Sequence, residues 1–272
     1  MCDIDLRIKT LRNIMAENNI AMVVVPTNDY HMSEYVGDYF KTREYITGFS
    51  GSAGTAVISK DKAILWTDGR YYIQAANELE NSEVILYKAG LEGVPTVMDY
   101  ICNNIEEKDV VAIDGRCVDD GYANILRERL AQKKAKLKLD IDVVGMIWDN
   151  RPKLKSEKVY ELDIKYTGEK RYSKLMRVRK EMIDKNANYL VITSLDDIAW
   201  LLNLRGNDIQ CNPVFFSYFI MTRTEGFLFV LDDAISEEVK LSLEKDNIRI
   251  KSYFSFYNSL KMIEENENVM LD

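Results

Sequence analysis

Trp66-Thr67-Asp68-Gly69-Arg70-Tyr71-Tyr72 is the stretch of this sequence best equipped to handle another molecule. Ala63–Trp66 predicts a strand, Thr-Asp-Gly a turn, and a helix is expected to begin near Arg70 and run through Gln74 and Ala75. Loops at strand ends are where α/β proteins place ligand-contacting groups. An arginine there offers a planar fork of donors to a carboxylate or a backbone carbonyl. The same residues also suit a structural salt bridge from Arg70 to Asp29, Glu34 or Asp68, and both readings stay open at this point.

Few other groups combine into recognisable chemistry. Gly48-Phe49-Ser50-Gly51-Ser52-Ala53-Gly54-Thr55 is as glycine-rich as a phosphate loop, but it has neither the Gly-Lys-Ser/Thr of a P-loop nor a Gly-x-Gly-x-x-Gly. Its glycines are read as letting the backbone turn tightly into a strand at Thr55–Ser59. His31 is the single histidine. Serine- and cysteine-based catalysis needs a general base, most often His. No nucleophile is defined beside His31, which is therefore read as a turn or packing residue. Asp196-Asp197 and Asp232-Asp233 join no His or Cys at metal-ligand spacing and are read as caps and turns. No catalytic residue and no metal ligand is expected in this chain, and Arg70 is its one candidate substrate-binding residue.

These residues must be positioned by elements that occur twice. Leu11–His31 aligns with Val178–Ile198: Arg12 falls on Arg179, Met15 on Met182, Asn19 on Asn186, Val24 on Val191 and Asp29 on Asp196. Each copy has amphipathic helix spacing, then a short β-branched apolar run, then a polar turn, the pattern of a helix feeding a buried strand. Ile105–Asp114 (IEEKDVVAID) likewise aligns with Ile263–Asp272 (IEENENVMLD). Between these anchors lie two hairpin-like stretches, Thr55–Asp68 turning at Lys60-Asp61-Lys62 and Phe215–Asp233 turning around Thr224-Glu225-Gly226.

Two α/β domains of related plan are expected, each a mixed sheet flanked by helices, at residues 1–150 and 157–272. The joint falls near Trp148–Ser156, where Arg151-Pro152 breaks the pattern. After Asp114 the first copy continues with an expected helix at Asp120–Lys134 and strand at Leu137–Val144. The second copy stops at Asp272, the counterpart of Asp114, so the second domain is expected to be truncated at its C-terminal end.

Composition narrows the function classes. Apolar residues make up 47% of the 272, enough for real cores, and the net charge of −8 argues against binding nucleic acid through a positive surface. Lys133, Lys134, Lys136 and Lys138 follow a predicted helix, where cations favour its C-terminus and blunt an edge strand. No apolar run approaches the ~20 residues that cross a bilayer, and no membrane partner is expected. Cys2, Cys102, Cys117 and Cys211 are scattered and read as reduced thiols of a cytoplasmic protein.

Three groups of motifs carry a family resemblance. Asp29-Tyr30-His31-Met32-Ser33-Glu34-Tyr35, the run Tyr45–Thr55 and Trp66-Thr67-Asp68-Gly69-Arg70-Tyr71 resemble the first domain of long, cytosolic-type Xaa-Pro aminopeptidases (aminopeptidase P). Trp148-Asp149-Asn150-Arg151-Pro152 is similar to that family's inter-domain joint. Leu195–Gly206 and Asn212–Tyr218 resemble its second domain. The resemblance implies two creatinase-N-like α/β domains preceding a pita-bread catalytic domain of the M24 peptidase type, with two divalent metal ions, typically manganese. A metal-bridged water there attacks the peptide bond before proline.

What the resemblance assigns to these 272 residues is narrower. The family's first domain leans over the catalytic cleft and lends the arginine of its Asp-Gly-Arg-Tyr motif to the substrate, which matches Arg70. The second domain is a spacer that restricts the cleft to short peptides with proline in second position, and a homodimer is a further expectation. By itself the chain is expected to cleave nothing. Tandem creatinase-N-like domains acting as a non-catalytic peptide or protein binding module are the alternative. A creatinase or prolidase fits less well, since those resemble one N-terminal domain rather than two.

Overall fold

Met22-Val23-Val24-Val25-Pro26 buries its first four residues, as a strand covered on both faces must. The computed structural model describes residues 2–272, and the chain divides into two compact units, the residues up to Lys153 and Leu154–Asp272. The first unit runs α1 (Asp3–Glu17), β1 (Met22–Pro26), α2 (Thr42–Thr47), β2 (Thr55–Ser59), β3 (Ala63–Thr67), α3 (Tyr72–Glu78), β4 (Val84–Lys88), α4 (Val97–Asn104), β5 (Val110–Ala112), α5 (Asp120–Gln132) and β6 (Lys136–Lys138). Its six strands lie in the order β4-β3-β2-β1-β5-β6. Only β2 runs against its neighbours; the β3–β4, β1–β5 and β5–β6 pairs are parallel.

Alternation along the strands sorts the core into two layers, as a period of two requires. Val23, Val25, Ala56, Ile58, Ala63 and Leu65 face Ile8, Leu11 and Met15 of α1, Ile46 of α2 and Ala75 of α3. Met22, Val24, Val57, Ile64 and Trp66 face Tyr100 and Ile101 of α4 and Leu126 and Leu130 of α5. The sheet is therefore the middle of three layers.

The second unit repeats this plan. It comprises β7 (Tyr160–Glu161), α6 (Ile164–Thr167), α7 (Arg171–Asp184), β8 (Tyr189–Ile192), α8 (Leu195–Leu202), β9 (Leu204–Arg205), β10 (Ser217–Thr222), β11 (Gly226–Val230), α9 (Glu237–Glu244), β12 (Ile248–Ser252), α10 (Phe256–Leu260) and β13 (Val269–Leu271). Its main sheet, β12-β11-β10-β8-β13, reproduces β4-β3-β2-β1-β5 strand for strand and direction for direction.

Even the register is shared. Met22 pairs with Val111 in β1–β5, and Tyr189 with Val269 in β8–β13, the residues that the two sequence matches equate. Asn19 and Asn186 both take a left-handed φ of 54° just past the end of their helices, a conformation Asn tolerates better than most residues. The next amide then closes back, Ile20 onto the Met15 carbonyl at 2.8 Å and Ala187 onto the Met182 carbonyl at 2.7 Å. Arg12 and Arg179, matched in the repeat, each send Nε to the last carbonyl of the antiparallel strand, that of Ser59 at 3.0 Å and of Thr222 at 3.4 Å.

Two boundaries differ from the sequence expectation. The fifth helix stops at Gln132, because Lys134 takes φ 57° in the turn that follows. The expected strand over Leu137–Val144 is only Lys136–Lys138 plus an isolated bridge between Asp114 and Asp140. Ile141, Val143 and Val144 leave the sheet and pack into the α1-side core, so the apolar run is buried without a ladder.

The glycine-rich loop is set by Arg43 of α2. Its buried guanidinium donates from Nη1 to the Phe49 carbonyl and from Nη2 to the Gly51 carbonyl, while Nε reaches Thr27 Oγ1 at 2.9 Å. Burial pushes Arg43 down to about 10, against the nearby charges of Glu44 and Glu78. At Gly54 a Cβ would lie 2.9 Å from the Trp66 carbonyl, so the loop enters β2 where only glycine fits. Replacing Arg43 with Leu strands two buried carbonyls, each worth about 1–3 kcal/mol. The expected loss is about 3 kcal/mol in the denaturant transition of the first unit, read by urea titration of its tryptophan fluorescence.

Candidate functional site

The strand directions gather the motifs on one rim. With β2 alone reversed, the carboxyl ends of β1, β3 and β5 and the amino end of β2 lie along the same edge of the sheet. The loop after β1 carries Asn28 to Tyr35, the glycine-rich loop enters β2, and the Asp68-Gly69-Arg70-Tyr71 turn follows β3. Binding loops of α/β sheets belong on this side.

Arg70 is gripped by its own turn. Asp68 Oδ1 accepts the Arg70 amide at 3.0 Å and Nε at 2.9 Å, and Oδ2 accepts Nη2 at 2.8 Å. Hydrogen bonds from the Arg70 side chain, then from its amide, pull the Asp68 carboxyl down to about 2. The Arg70 guanidinium is correspondingly raised, chiefly by Asp68, with Glu34 adding to it. Its side chain is nonetheless 67% exposed and lies 5.3 Å from the Tyr71 ring. Tyr71 OH meets Ser52 Oγ at 2.7 Å, tying the turn to the glycine-rich loop.

Of the three carboxylates weighed as partners for Arg70, Asp68 is the one bonded. Asp29 is fully buried and its Oδ1 accepts the amides of His31 at 2.8 Å and Ser33 at 3.0 Å, holding the loop after β1. His31 is buried in that loop. The helix expected from Arg70 begins at Tyr72, since Asp68 captures the Arg70 amide and Tyr71 sits at φ −117°, ψ 1°, outside helical geometry.

A second arginine on the rim escaped the sequence reading. Asp114-Gly115-Arg116 follows β5 as Asp68-Gly69-Arg70 follows β3. Asp114 Oδ1 accepts the Arg116 amide at 3.1 Å and Nε at 2.9 Å, and Oδ2 accepts Nη2 at 2.8 Å. Arg116 lies 4.2 Å from the Tyr30 ring centroid, and Asn28 donates to the Cys117 carbonyl at 2.8 Å. The loop after β1 is thus fastened to the second turn. The repeated tripeptide after an apolar strand was the available signal.

Among the described residues no three His, Cys, Asp or Glu side chains form a group that could hold a metal ion. The residues present do not fit the dinuclear metal centre that the resemblance implies. Among the same residues no helix is long and apolar enough to cross a membrane.

Comparison with known proteins places this rim in context. Family models described as the creatinase/prolidase N-terminal domain match residues 7–146 and again residues 150–272. The chain is 38% identical over 267 residues to Xaa-Pro aminopeptidase 1 of Dictyostelium discoideum, covering 95% of this chain and 42% of that protein. It is 37% identical over 262 residues to aminopeptidase P2 of Arabidopsis thaliana, covering 94% of this chain and 37% of that one. The crystal structure of X-prolyl aminopeptidase from Caenorhabditis elegans, described as a cytosolic enzyme with a di-nuclear active site, superposes with a TM-score of 0.90 at 29% identity. The match covers 96% of this chain and 44% of that one. This chain therefore spans about two fifths of the length of the relatives it matches.

The geometry makes two predictions. Asp68 has a depressed carboxyl, so its pair with Arg70 stays formed above the ordinary carboxylate range and is lost only as pH falls through about 2. Carboxyl carbon NMR of Asp68 should titrate near that value, and Arg70→Gln should raise the midpoint toward the ordinary carboxylate range. The rise should stop short of that range, because the amide of residue 70 still donates to Oδ1. The two turns also differ underneath. A Cβ on Gly115 would meet the Leu139 carbonyl at 2.7 Å, whereas one on Gly69 meets nothing closer than the Tyr72 ring at 3.8 Å. Gly115→Ala should cost about 2 kcal/mol in urea denaturation and Gly69→Ala less than about 0.5 kcal/mol.

Proposed function

This chain belongs to the creatinase/prolidase N-terminal-domain family, and we propose that it forms the N-terminal region of a Xaa-Pro aminopeptidase, which removes the residue preceding proline from a peptide's amino end. One observation carries the reading. The likeness to Xaa-Pro aminopeptidases runs through both units. The first domain corresponds to residues 1–150 and the second to residues 157–272.

In this reading the chain positions substrate and restricts access, and the hydrolytic chemistry belongs to a catalytic domain outside these residues. Two divalent metal ions, manganese being the expected pair, would be held by that domain and would supply an activated water there. Arg70 is the substrate-binding residue on this side. Asp68 fixes two donors of its fork, which holds the planar head still while most of the side chain stays in water. A donor immobilised in advance loses little rotamer freedom when a peptide arrives. Short peptides with proline in second position are the partners, the cytoplasm is the location, and a homodimer is the expected assembly.

The test is cleavage of Arg-Pro-Pro with added Mn²⁺, comparing these 272 residues with the full product of their gene. Activity is expected only in the longer protein, where Arg70→Ala should lower kcat/KM about 10- to 100-fold, the worth of one charge-assisted hydrogen bond. Cleavage by the 272 residues alone would place an active site in this chain and overturn the division of labour. Absence of cleavage by the longer product would overturn the aminopeptidase reading in favour of a binding module.

A further inference from the structure

Arg116 duplicates Arg70 down to the donor used for each oxygen. In both turns the carboxylate takes the arginine's own amide and Nε on Oδ1 and Nη2 on Oδ2, with every distance matching within 0.1 Å. Both guanidinium groups lie close to a tyrosine ring, Tyr71 for one and Tyr30 for the other. Both side chains keep substantial exposure, 67% for Arg70 and 42% for Arg116. Neither Nη1 makes a hydrogen bond to any described residue.

We propose that Arg116 is a second substrate-positioning residue, and that with Arg70 it forms a two-point clamp on the backbone of an extended peptide. The proposal rests on the peptidase reading above and adds to it a grip that senses peptide length.

The state of the two arginines decides what they bind. An arginine already carrying a bidentate carboxylate has its charge balanced and its Nε–Nη2 edge occupied. The remaining Nη1 edge is a rigid, polarised donor with little net positive charge behind it. A neutral backbone carbonyl suits that donor better than a second carboxylate, which would have to approach against the first.

Spacing decides how much peptide is held. Arg70 follows β3 and Arg116 follows β5, and the strand order puts β2 and β1 between them. Three strand spacings come to about 14 Å, the span of roughly four residues of extended chain. β1 lies between β3 and β5, and the loop that follows it exposes the side chains of Met32 and Tyr35, apolar surface open to peptide side chains, proline among them. A tripeptide reaches one arginine, and a hexapeptide reaches both.

The test uses the longer gene product and two probes, Arg-Pro-Pro and Arg-Pro-Pro-Gly-Phe-Ser, with the hexapeptide also prepared as its C-terminal amide. Arg116→Gln should raise KM about tenfold for both forms of the hexapeptide, leave kcat unchanged, and leave the tripeptide untouched. Arg70→Gln should impair cleavage of all three. A merely structural Arg116 would shift every substrate alike, and that result would overturn the clamp. So would an Arg116→Gln effect confined to the free-acid hexapeptide, which would identify the acceptor as a terminal carboxylate. Wild-type cleavage with no Arg116→Gln effect removes the clamp and spares the aminopeptidase reading, while no wild-type cleavage of any probe removes both.

Discussion

In a sheet where every strand but one runs the same way, the chain must return over a face each time one parallel strand follows another. That constraint governs the first unit. The connections after β1, β3 and β5 all leave from one edge, and the reversed β2 takes in the glycine-rich loop from that same edge. The motifs converge because of strand direction, since they lie far apart in sequence. Had β2 been parallel, its preceding loop would enter from the opposite rim and Ser52 could not reach Tyr71.

The convergence is then fixed by groups that satisfy the backbone. Thr27 at the end of β1 pairs through its amide and hydroxyl with the Gly54 carbonyl, and Thr67 at the end of β3 donates its hydroxyl to the Ala53 carbonyl at 2.6 Å. Arg43 takes two more carbonyls of the same loop. A buried loop is costly because its carbonyls lack water, and here each strand end supplies the missing donor. Those bonds tie the rim's backbone to the ends of β1 and β3, and β3 carries the Asp68-Gly69-Arg70 turn.

The duplication was the most legible feature of the sequence, because what it preserves is backbone geometry. Asn19 and Asn186 mark the same left-handed turn, and Arg12 and Arg179 reach the same strand end. Apolar alternation placed the strands, since residues two apart must share a face. The failures have a common cause. Val143 and Val144 look like strand residues, and their burial is real, but they are buried against α1 and not in a ladder. The helix near Arg70 begins late because one carboxylate competes for the amide, an outcome set by a single rotamer of Asp68. Apolar pattern reports burial, and it is silent on which partner provides it. The Arg70 pairing stayed undecided for a similar reason, as Asp29, Glu34 and Asp68 differ only in where the loop after β1 folds. Arg116 went unremarked because its turn lacks the aromatic residues that surround Arg70 in sequence; its tyrosine, Tyr30, comes from a distant loop.

The Asp–Arg turns also explain how a chain with a net charge of −8 can hold an exposed arginine in a fixed orientation. An unpaired guanidinium on an acidic surface would be drawn to whichever carboxylate lay nearest, and its orientation would follow that partner. Pairing within the turn removes the choice, since the carboxylate two residues back is always present and also holds the arginine's amide. The exposed pair adds little to stability, in keeping with surface ion pairs generally. Its consequence is orientation: the side chain gives up two donors and most of its net charge, and the donors that stay in water gain a defined direction. That exchange favours recognition of a neutral acceptor whose position matters more than its charge, and the backbone of a peptide is such an acceptor.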